Sequence, residues 1–224
     1  MRAIYRATAA YFCLNIQMTF INGLDNFITM SNSNISIAGR HIRLETLSMS
    51  HLPGLEQCLL GEPDGWFSLH HRINSPENLR IAIENRLKSN ESKASRSFVI
   101  FDLRSEKIAG ISHFMKVDNR DRQIEIGGTQ VGRAFRKTYV NTETKFLLLA
   151  EAFEALKMLR VYFRVDIENY ISQKAILRIG AKLEGTLRNE WILPDGRIRN
   201  VYVYSIIYQD WPELKKELEK QIAR

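Results

Sequence analysis

One run of the chain joins a strand, a basic loop, a long helix and a second strand, and it restricts the fold more than any other segment. Residues 123–131 have the composition of a strand, and residues 160–167 have that of the next one. Between them, residues 141–157 place apolar side chains at helical spacing, namely Phe146, Leu149, Phe153 and Leu156. We therefore expect a strand–helix–strand crossover at the centre of a mixed sheet.

The segments on either side of this crossover predict mostly antiparallel pairing. Two further strands precede it after short polar turns, and a hairpin around the turn Pro194–Arg197 follows it. Predicted strands are 35–47 with a bend at Gly39, 97–101, 107–114, 183–193 and 198–208, and predicted helices are 50–60, from 75 onward, 171–179 and 211–223. The fold class is α+β, with a mixed, mostly antiparallel sheet of about six or seven strands flanked by helices.

The first thirty residues differ from the rest. They carry Arg2 and Arg6 with no acidic residue before Asp25, and polar residues interrupt their apolar run. We interpret residues 1–30 as a mobile or loosely docked extension and residues 31–224 as one domain.

Composition and charge limit the setting of the protein. The net charge of +7 admits an anionic partner such as a nucleic acid, a membrane surface or a phosphorylated cofactor. The two cysteines, Cys13 and Cys58, are too few for a disulfide framework, which favours a reducing, cytoplasmic setting. No apolar run is long enough to span a membrane, and no residue spacing suggests a metal site or a Ser-His-Asp triad.

Three stretches resemble the GNAT superfamily of acyl-CoA-dependent N-acetyltransferases, in particular the branch with the RimJ and RimL ribosomal-protein acetyltransferases. They are GRHIRLETLSMSHLPGL, EIGGTQVGRAFRKTYVNTETKFLLLAEAF and RVDIENYISQKAILRIGAKLEGTLR. The resemblance implies the GNAT fold, acetyl-CoA as co-substrate, no metal, and an amine acceptor that is a protein N-terminus or a small molecule.

The basic loop before the long helix is the expected phosphate site. Helix N-termini expose unpaired N–H groups and a partial positive charge, so a pyrophosphate fits there. The resemblance implies that coenzyme A binds here and along the preceding strand, through Gln130, Val131, Arg136, Lys137, Thr138, Tyr139, Val140 and Asn141. A basic loop without a ligand is the alternative.

This loop departs from the glycine pattern of the family, because Lys137 and Tyr139 occupy the two glycine positions. A positive φ costs a non-glycine residue roughly 1–2 kcal/mol, so we expect ordinary right-handed geometry here. Tyr139 could also obstruct the closest approach of the cofactor.

Asn169 and Ser172 lie where the second strand of the crossover passes into a short helix. We expect Asn169 to bind the pantetheine arm or a water, and Ser172 to protonate the departing thiolate. Helix capping by Asn169 is the alternative. The resemblance implies a catalytic tyrosine where this chain has Ile176, so the acid is assigned to Ser172, with Tyr170 as the other candidate.

Glu125 lies in the first strand of the crossover, beside Gly127 and Gly128. The resemblance implies that it helps to deprotonate the amine through a water; an exposed or ion-paired glutamate is the alternative. Trp66 and Phe67 are candidates for the acceptor pocket, although core packing explains them equally well.

The resemblance implies an N-acetyltransferase, and a monomer or a homodimer is expected. The missing glycines and tyrosine keep a non-catalytic acyl-CoA-binding module as the alternative. A nucleic-acid-binding protein is disfavoured, because the basic residues are not interleaved with stacking aromatic residues in a known motif.

Overall fold

The computed structural model describes residues 35–60, 75–91, 95–193 and 196–223. The strands are β1 (Ser36–Ala38), β2 (Ile42–Thr46), β3 (Arg96–Asp102), β4 (Lys107–Asp118), β5 (Gln123–Val131), β6 (Arg160–Asp166), β7 (Lys182–Ile192) and β8 (Ile198–Ile207). The helices are α1 (Leu52–Leu59), α2 (Pro76–Glu91), α3 (Tyr139–Ala150), α4 (Tyr170–Arg178) and α5 (Trp211–Ile222). The extension 1–30, Trp66, Phe67 and part of the predicted 194–197 turn lie outside the described residues.

The sheet has the order β1-β2-β3-β4-β5-β6-β8-β7 and confirms the predicted α+β class. Only β5 and β6 pair in parallel among the described strands, and α3 connects them. The other neighbours are antiparallel, which confirms a mixed, mostly antiparallel sheet with a crossover at its centre.

The described sheet has eight strands, because the segment predicted as one bent strand folds into the hairpin of β1 and β2. The amide of Gly39 donates to the carbonyl of Ile42 at 2.8 Å. The Glu143 carboxylate on α3 accepts hydrogen bonds from the amides of Arg40 and His41. A side chain about a hundred residues further along the chain therefore holds this turn in place.

The two faces of the sheet are covered by different helices. The larger core packs α3, α4 and α5 on one face, and includes Phe114, Ile126, Phe163 and Ile176. A smaller core packs α1 and α2 on the other face, over β3 and β4. We call these the α3 face and the α1/α2 face.

Helix α3 begins at Tyr139, two residues earlier than predicted, because the Thr138 hydroxyl caps it by accepting from the amide of Val140 at 3.2 Å. Leu149, Phe153 and Leu156 are buried as predicted, but Phe146 is only half-buried. The helix is continued by a π-helical turn, Glu151–Ala155.

None of the helices in the described part of the chain has the length and apolar composition needed to cross a membrane.

Candidate active site

A cleft opens between the two parallel strands at the centre of the sheet. Strands β5 and β6 pair only where residues 123–125 face residues 160–162. Beyond this point β5 runs on for six residues to Val131 and β6 for four residues to Asp166, with no pairing between them. We call this gap the β5–β6 cleft. Its strand edges carry backbone N–H and C=O groups that an extended ligand can pair with.

A bulge in β5 lies at the start of the cleft. Gly127 pairs with His113 and Gln130 pairs with Ile111, so β5 has one more residue than β4 in this interval. Gly128 has φ +57, and a Cβ at this position would lie 2.6 Å from the His113 ring, so only glycine fits. The bulge sets which side chains of β5 face each side of the sheet.

Glu125 lies on the α1/α2 face, at the last paired position before the cleft. It is 1% exposed, and its Oε2 accepts from Arg164 Nε at 3.0 Å and Nη2 at 2.9 Å. Burial raises the pKa of Glu125, whereas the positive charge of Arg164 opposes that shift. The predicted alternative of an ion-paired glutamate is therefore what the structure shows, with Oε1 beside Gly127.

Arg164 is the centre of a charged cluster on this face. It also donates to Glu190, and its guanidinium lies 4.5 Å from the centre of the Trp191 ring. The other side of this cluster includes Arg199, 4.9 Å from the same ring and paired with the buried Asp166 at 2.6 Å. These pairs join β5, β6, β7 and β8.

Lys145 lies on the opposite, α3 face of the sheet, and the sequence analysis did not identify it. Its Nζ donates to the hydroxyl of Thr129 on β5, which in turn is 2.7 Å from the Ser112 hydroxyl. The same Nζ lies 5.9 Å from the centre of the Phe163 ring on β6. Burial lowers the pKa of Lys145 to about 7.

The first turn of α4 lies at the end of β6. Asn169 caps it, because Oδ1 accepts from the amide of Ser172 at 3.0 Å, as the capping alternative predicted. Gln173 Nε2 donates to the carbonyls of Asp166 and Ile167 at 3.0 and 2.9 Å and so holds the strand end to the helix.

The loop before α3 is tied to the end of β5. Arg136 Nε donates to the carbonyl of Val131 at 3.2 Å. The Thr138 cap occupies one amide of the first helical turn, and the other amides at a helix start have no intrahelical partner. Val140 is fully buried, so only its backbone faces the loop. Among the residues the structure describes, no cluster of His, Cys, Asp or Glu could hold a metal ion.

Residues 41–182 match the family model for the acetyltransferase (GNAT) domain. The chain belongs to the GNAT acetyltransferase family. It is an N-acetyltransferase, and enzymes of this family use acetyl-CoA.

Solved structures agree with this assignment. An acetyltransferase from Thermus thermophilus is 32% identical, with 86% of this chain and 99% of that chain covered and a TM-score of 0.76. Another acetyltransferase structure is 33% identical over 85% of this chain and 95% of that one, also with a TM-score of 0.76. Mycobacterium smegmatis RimJ, in complex with CoA-disulfide, shares the fold at 17% identity, with coverage of 82% and 90% and a TM-score of 0.66. A search of curated proteins found no match.

Two positions of the GNAT loop correct the sequence analysis. Lys137 adopts φ +60, so the expectation of right-handed geometry was wrong. The loop keeps the left-handed residue that glycine usually supplies, at a strain of roughly 1–2 kcal/mol. Tyr139 does not point into the cleft, because its hydroxyl donates to Asp102 at the end of β3 and Arg104 lies 4.7 Å from its ring. Burial and the bond to Asp102 raise the pKa of Tyr139 to about 12.

A third departure from the GNAT pattern concerns the acid. Ile176 is 5% exposed and packs in the core, so no side chain from this position offers a proton. Ser172 is half-buried on the first turn of α4, and Tyr170 is largely exposed. Glu125 and Lys145 therefore lie on opposite faces beside the cleft, and Ser172 lies on the first turn of α4, which follows the end of β6.

Proposed function

We propose that this protein transfers the acetyl group of acetyl-CoA to a primary amine, with the cofactor seated in the β5–β6 cleft. The observation that carries this proposal is the divergence of β5 and β6 immediately beyond Glu125 and Tyr162, next to the start of α3. A pantetheine arm is extended and rich in amides, so it fits the unpaired strand edges.

The start of α3 is the proposed seat of the cofactor's phosphates. Thr138 accepts from the Val140 amide, the other amides of the first turn, which includes Tyr139 and Asn141, have no intrahelical partner, and the side chains of Arg136 and Lys137 add positive charge. Backbone groups near Gln130 and Val131 would hold the pantetheine or polarise the thioester carbonyl. Mycobacterium smegmatis RimJ, which has the same fold, is in complex with a CoA derivative, which supports CoA as the ligand class.

Glu125 is the proposed base. Its Oε2 is held by Arg164, so Oε1 is the oxygen that remains to accept a proton, directly or through a water. Burial strengthens this carboxylate as a base by raising its pKa, and the positive charge of Arg164 opposes that shift. It lies on the α1/α2 face, so we propose that the acceptor amine approaches from that side.

The acceptor is a protein N-terminal α-amine or a small-molecule amine. At pH 7 an α-amine with a pKa near 7.8 costs only about 1.1 kcal/mol to deprotonate, whereas a lysine near 10.4 costs about 4.6 kcal/mol. A glutamate base that is ion-paired with an arginine is better suited to deprotonating an α-amine than a lysine side chain. We propose that Trp66 and Phe67, in the segment between α1 and α2, line the acceptor pocket.

Asn169 and Ser172 are proposed to serve the cofactor from the α4 side. Asn169 uses Oδ1 for its cap, so its Nδ2 is the group that would donate to the pantetheine. The Ser172 hydroxyl would donate a hydrogen bond to the sulfur as the thiolate leaves.

Calorimetry with CoA and a thiol-release screen with acetyl-CoA test this proposal. We expect roughly micromolar affinity, about −8 kcal/mol, that weakens with salt. An amine panel should contain peptides with free N-termini, polyamines and amino sugars. Turnover with any of them supports the enzyme. CoA binding without turnover across the panel would favour a non-catalytic acyl-CoA-binding module, and no binding at millimolar CoA would overturn the cofactor site.

A further inference from the structure

Lys145 occupies the point where the two strands of the cleft begin to separate. Its hydrogen-bond acceptor, Thr129, belongs to the unpaired part of β5, and Phe163 is the first residue of β6 beyond the paired segment. An Nζ that contacts both residues lies between the strands, on the α3 face. Thr129 is half-buried and lies on the unpaired edge of β5 that borders the cleft.

The charge of Lys145 is not balanced by an acidic partner. In the described part of the chain no carboxylate lies within ion-pair distance of its Nζ, and the side chain is about 6% exposed. The titratable group that feels its charge is His113 on the other face of the sheet. Burial, Arg86 and Lys145 together hold the pKa of His113 well below its usual range, so this imidazole is neutral.

A buried lysine without a carboxylate partner is expensive for folding, and a methionine or leucine would fill the same space at lower cost. Stability therefore does not explain why a lysine occupies this buried position. Its position beside the unpaired part of the cleft suggests a functional role, and the proposed base Glu125 lies on the other face, at the last paired residue of β5 and four residues before Thr129.

We propose that Lys145 is the proton donor of the transfer reaction, with its ammonium directed at the sulfur of the thioester from the α3 face of the cleft. This inference rests on the proposed function, since it requires acetyl-CoA in the β5–β6 cleft. It assigns to α3 the role that the family pattern gives to the residue replaced here by Ile176.

The proton balance closes within the site. As the bond between the acetyl carbon and the sulfur breaks, Lys145 gives one Nζ proton to the sulfur, forming a thiol, and becomes a neutral amine. Its hydrogen bond to Thr129 keeps the amine in place. As the carbon–nitrogen bond of the amide forms, Glu125 takes the proton that the acceptor amine loses, so the total charge of the site does not change. Exchange with solvent then returns Glu125 to the carboxylate and Lys145 to the ammonium.

The direction of this transfer is favourable. A thiol such as cysteine has a pKa of about 8.5, and Lys145 has a pKa of about 7, so the proton moves toward the sulfur. A donor whose pKa lies near the working pH is protonated often enough and still releases its proton readily. The Ser172 hydroxyl, in contrast, is a weak acid that can only support the sulfur by a hydrogen bond.

The position of Lys145 can be tested without knowing the acceptor, by incubating the full chain with bromoacetyl-CoA. We expect alkylation of Lys145, detected by peptide mass spectrometry, that excess CoA suppresses and that rises with pH around the pKa of the lysine. Labelling confined to other residues would overturn the proposal. Stoichiometric acetylation of Lys145 by acetyl-CoA itself would also overturn it, because the lysine would then be a nucleophile.

Two substitutions distinguish a role of Lys145 as proton donor from a role of its positive charge and from a structural role. Lys145→Met should lower kcat by about 100-fold or more while the Kd for CoA changes only a few-fold, and the alkaline decline of kcat should disappear. Lys145→Arg keeps the charge but does not release a proton near neutral pH, so kcat should stay low. Lys216→Met, on the exposed face of α5, is the matched control and should behave like wild type.

A kcat restored to the wild-type value in Lys145→Arg would show that positive charge alone is sufficient. A parallel loss of CoA affinity and kcat in Lys145→Met would show a structural role. Either result would overturn the proposal. Calorimetry separates this failure from that of the proposed function. If CoA binds and acetyl transfer proceeds while Lys145 is neither labelled nor required, only the proton-donor role fails.

Discussion

The two faces of the sheet treat buried charge in opposite ways beside the β5–β6 cleft. On the α1/α2 face, Glu125 and Glu190 share Arg164, whose guanidinium also packs against Trp191. On the α3 face, Lys145 has only hydroxyl and aromatic neighbours among the contacts the structure shows. The two environments lie along one strand, because Glu125 and Thr129 are four residues apart on β5 and face opposite sides of the sheet.

This difference separates two uses of an ionisable group. A paired charge is held in its ionised form by its partner, so it fixes geometry and changes little with pH near neutrality. A charge buried without a partner has its pKa moved toward neutral pH, and its proton becomes mobile under working conditions. We therefore expect substitutions on the α1/α2 face to act first on stability, and substitutions of Lys145 to act first on pH dependence.

The largest expected effect is on the pH dependence of stability in Lys145→Met. The pKa of Lys145 is about 7 in the folded protein and near 10.5 when unfolded, so the unfolded chain binds more protons between these values. Stability of the wild type should consequently rise with pH through this window, by as much as about 5 kcal/mol at 1.36 kcal/mol per pKa unit. Below about pH 7 both states carry the proton, and this contribution is constant.

Urea unfolding at a series of pH values, taken as wild type minus variant, measures this contribution. Lys145→Met should remove the rise and should be more stable than wild type at neutral pH. Lys216→Met controls for the loss of an exposed lysine. If the wild-type and Lys145→Met curves run parallel, Lys145 is not a strained buried charge and the contrast between the two faces disappears.

Arg164→Met should produce the next largest effect. The substitution leaves Glu125 buried at 1% exposure without its cation, and breaking a buried pair in this way typically costs about 3–5 kcal/mol at neutral pH. Arg160→Met is the matched control on the same strand and face. Its pair with Glu184 is partly exposed, so the loss should be at most about 1 kcal/mol. Equal losses in chemical denaturation would mean that burial of the Glu125 pair has no special cost.

Glu125→Gln tests the proposed base with a smaller effect, on rate. The amide cannot take a proton, so kcat/KM should fall by roughly 10–100-fold, and most at low pH where neutral amine is scarce. The deficit should shrink as the pH approaches the pKa of the acceptor amine. Glu184→Gln, another ion-paired glutamate of the α1/α2 face, should leave the pH profile unchanged. A Glu125→Gln profile that is uniformly lowered at every pH would point to a structural role.

Much of the fold could be predicted because strand and helix periods are local. The crossover, the hairpin of β7 and β8 and the start of α2 after Ser75 all depend on residues close in sequence. The β1–β2 hairpin could not be predicted in this way, because Glu143 holds its turn from a distant helix. The pair of Glu125 with Arg164 is of the same kind, since 39 positions separate the partners.

Lys145 was missed although a local signal was present. Extending the spacing of four back from Phe153 and Leu149 leads to Lys145, whereas the sequence analysis took Phe146 as the inward residue. A lysine in line with a buried stripe marks a buried cation, and the amino-acid sequence alone contains that pattern. Its hydroxyl partner on β5 cannot be predicted in the same way, because Thr129 turns toward α3 only through the bulge at Gly127–Gly128.

The smallest expected effects concern Lys137, an exposed lysine whose role should be the reverse of that of Lys145: it supplies charge and no proton. Lys137→Gly removes both the side chain and the strain of φ +60, so the protein should gain up to about 1 kcal/mol, reduced by the greater freedom of glycine in the unfolded chain. Lys137→Ala removes the charge but keeps the strain, and should give no such gain.

Because both variants lose one cation at the proposed phosphate site, both should bind CoA a few-fold more weakly, with a shallower dependence on salt. Calorimetry at two salt concentrations, together with urea unfolding, measures both quantities. Unchanged CoA affinity in both variants would remove Lys137 from the cofactor site, and equal stability of the glycine and alanine variants would show that the left-handed backbone carries no strain.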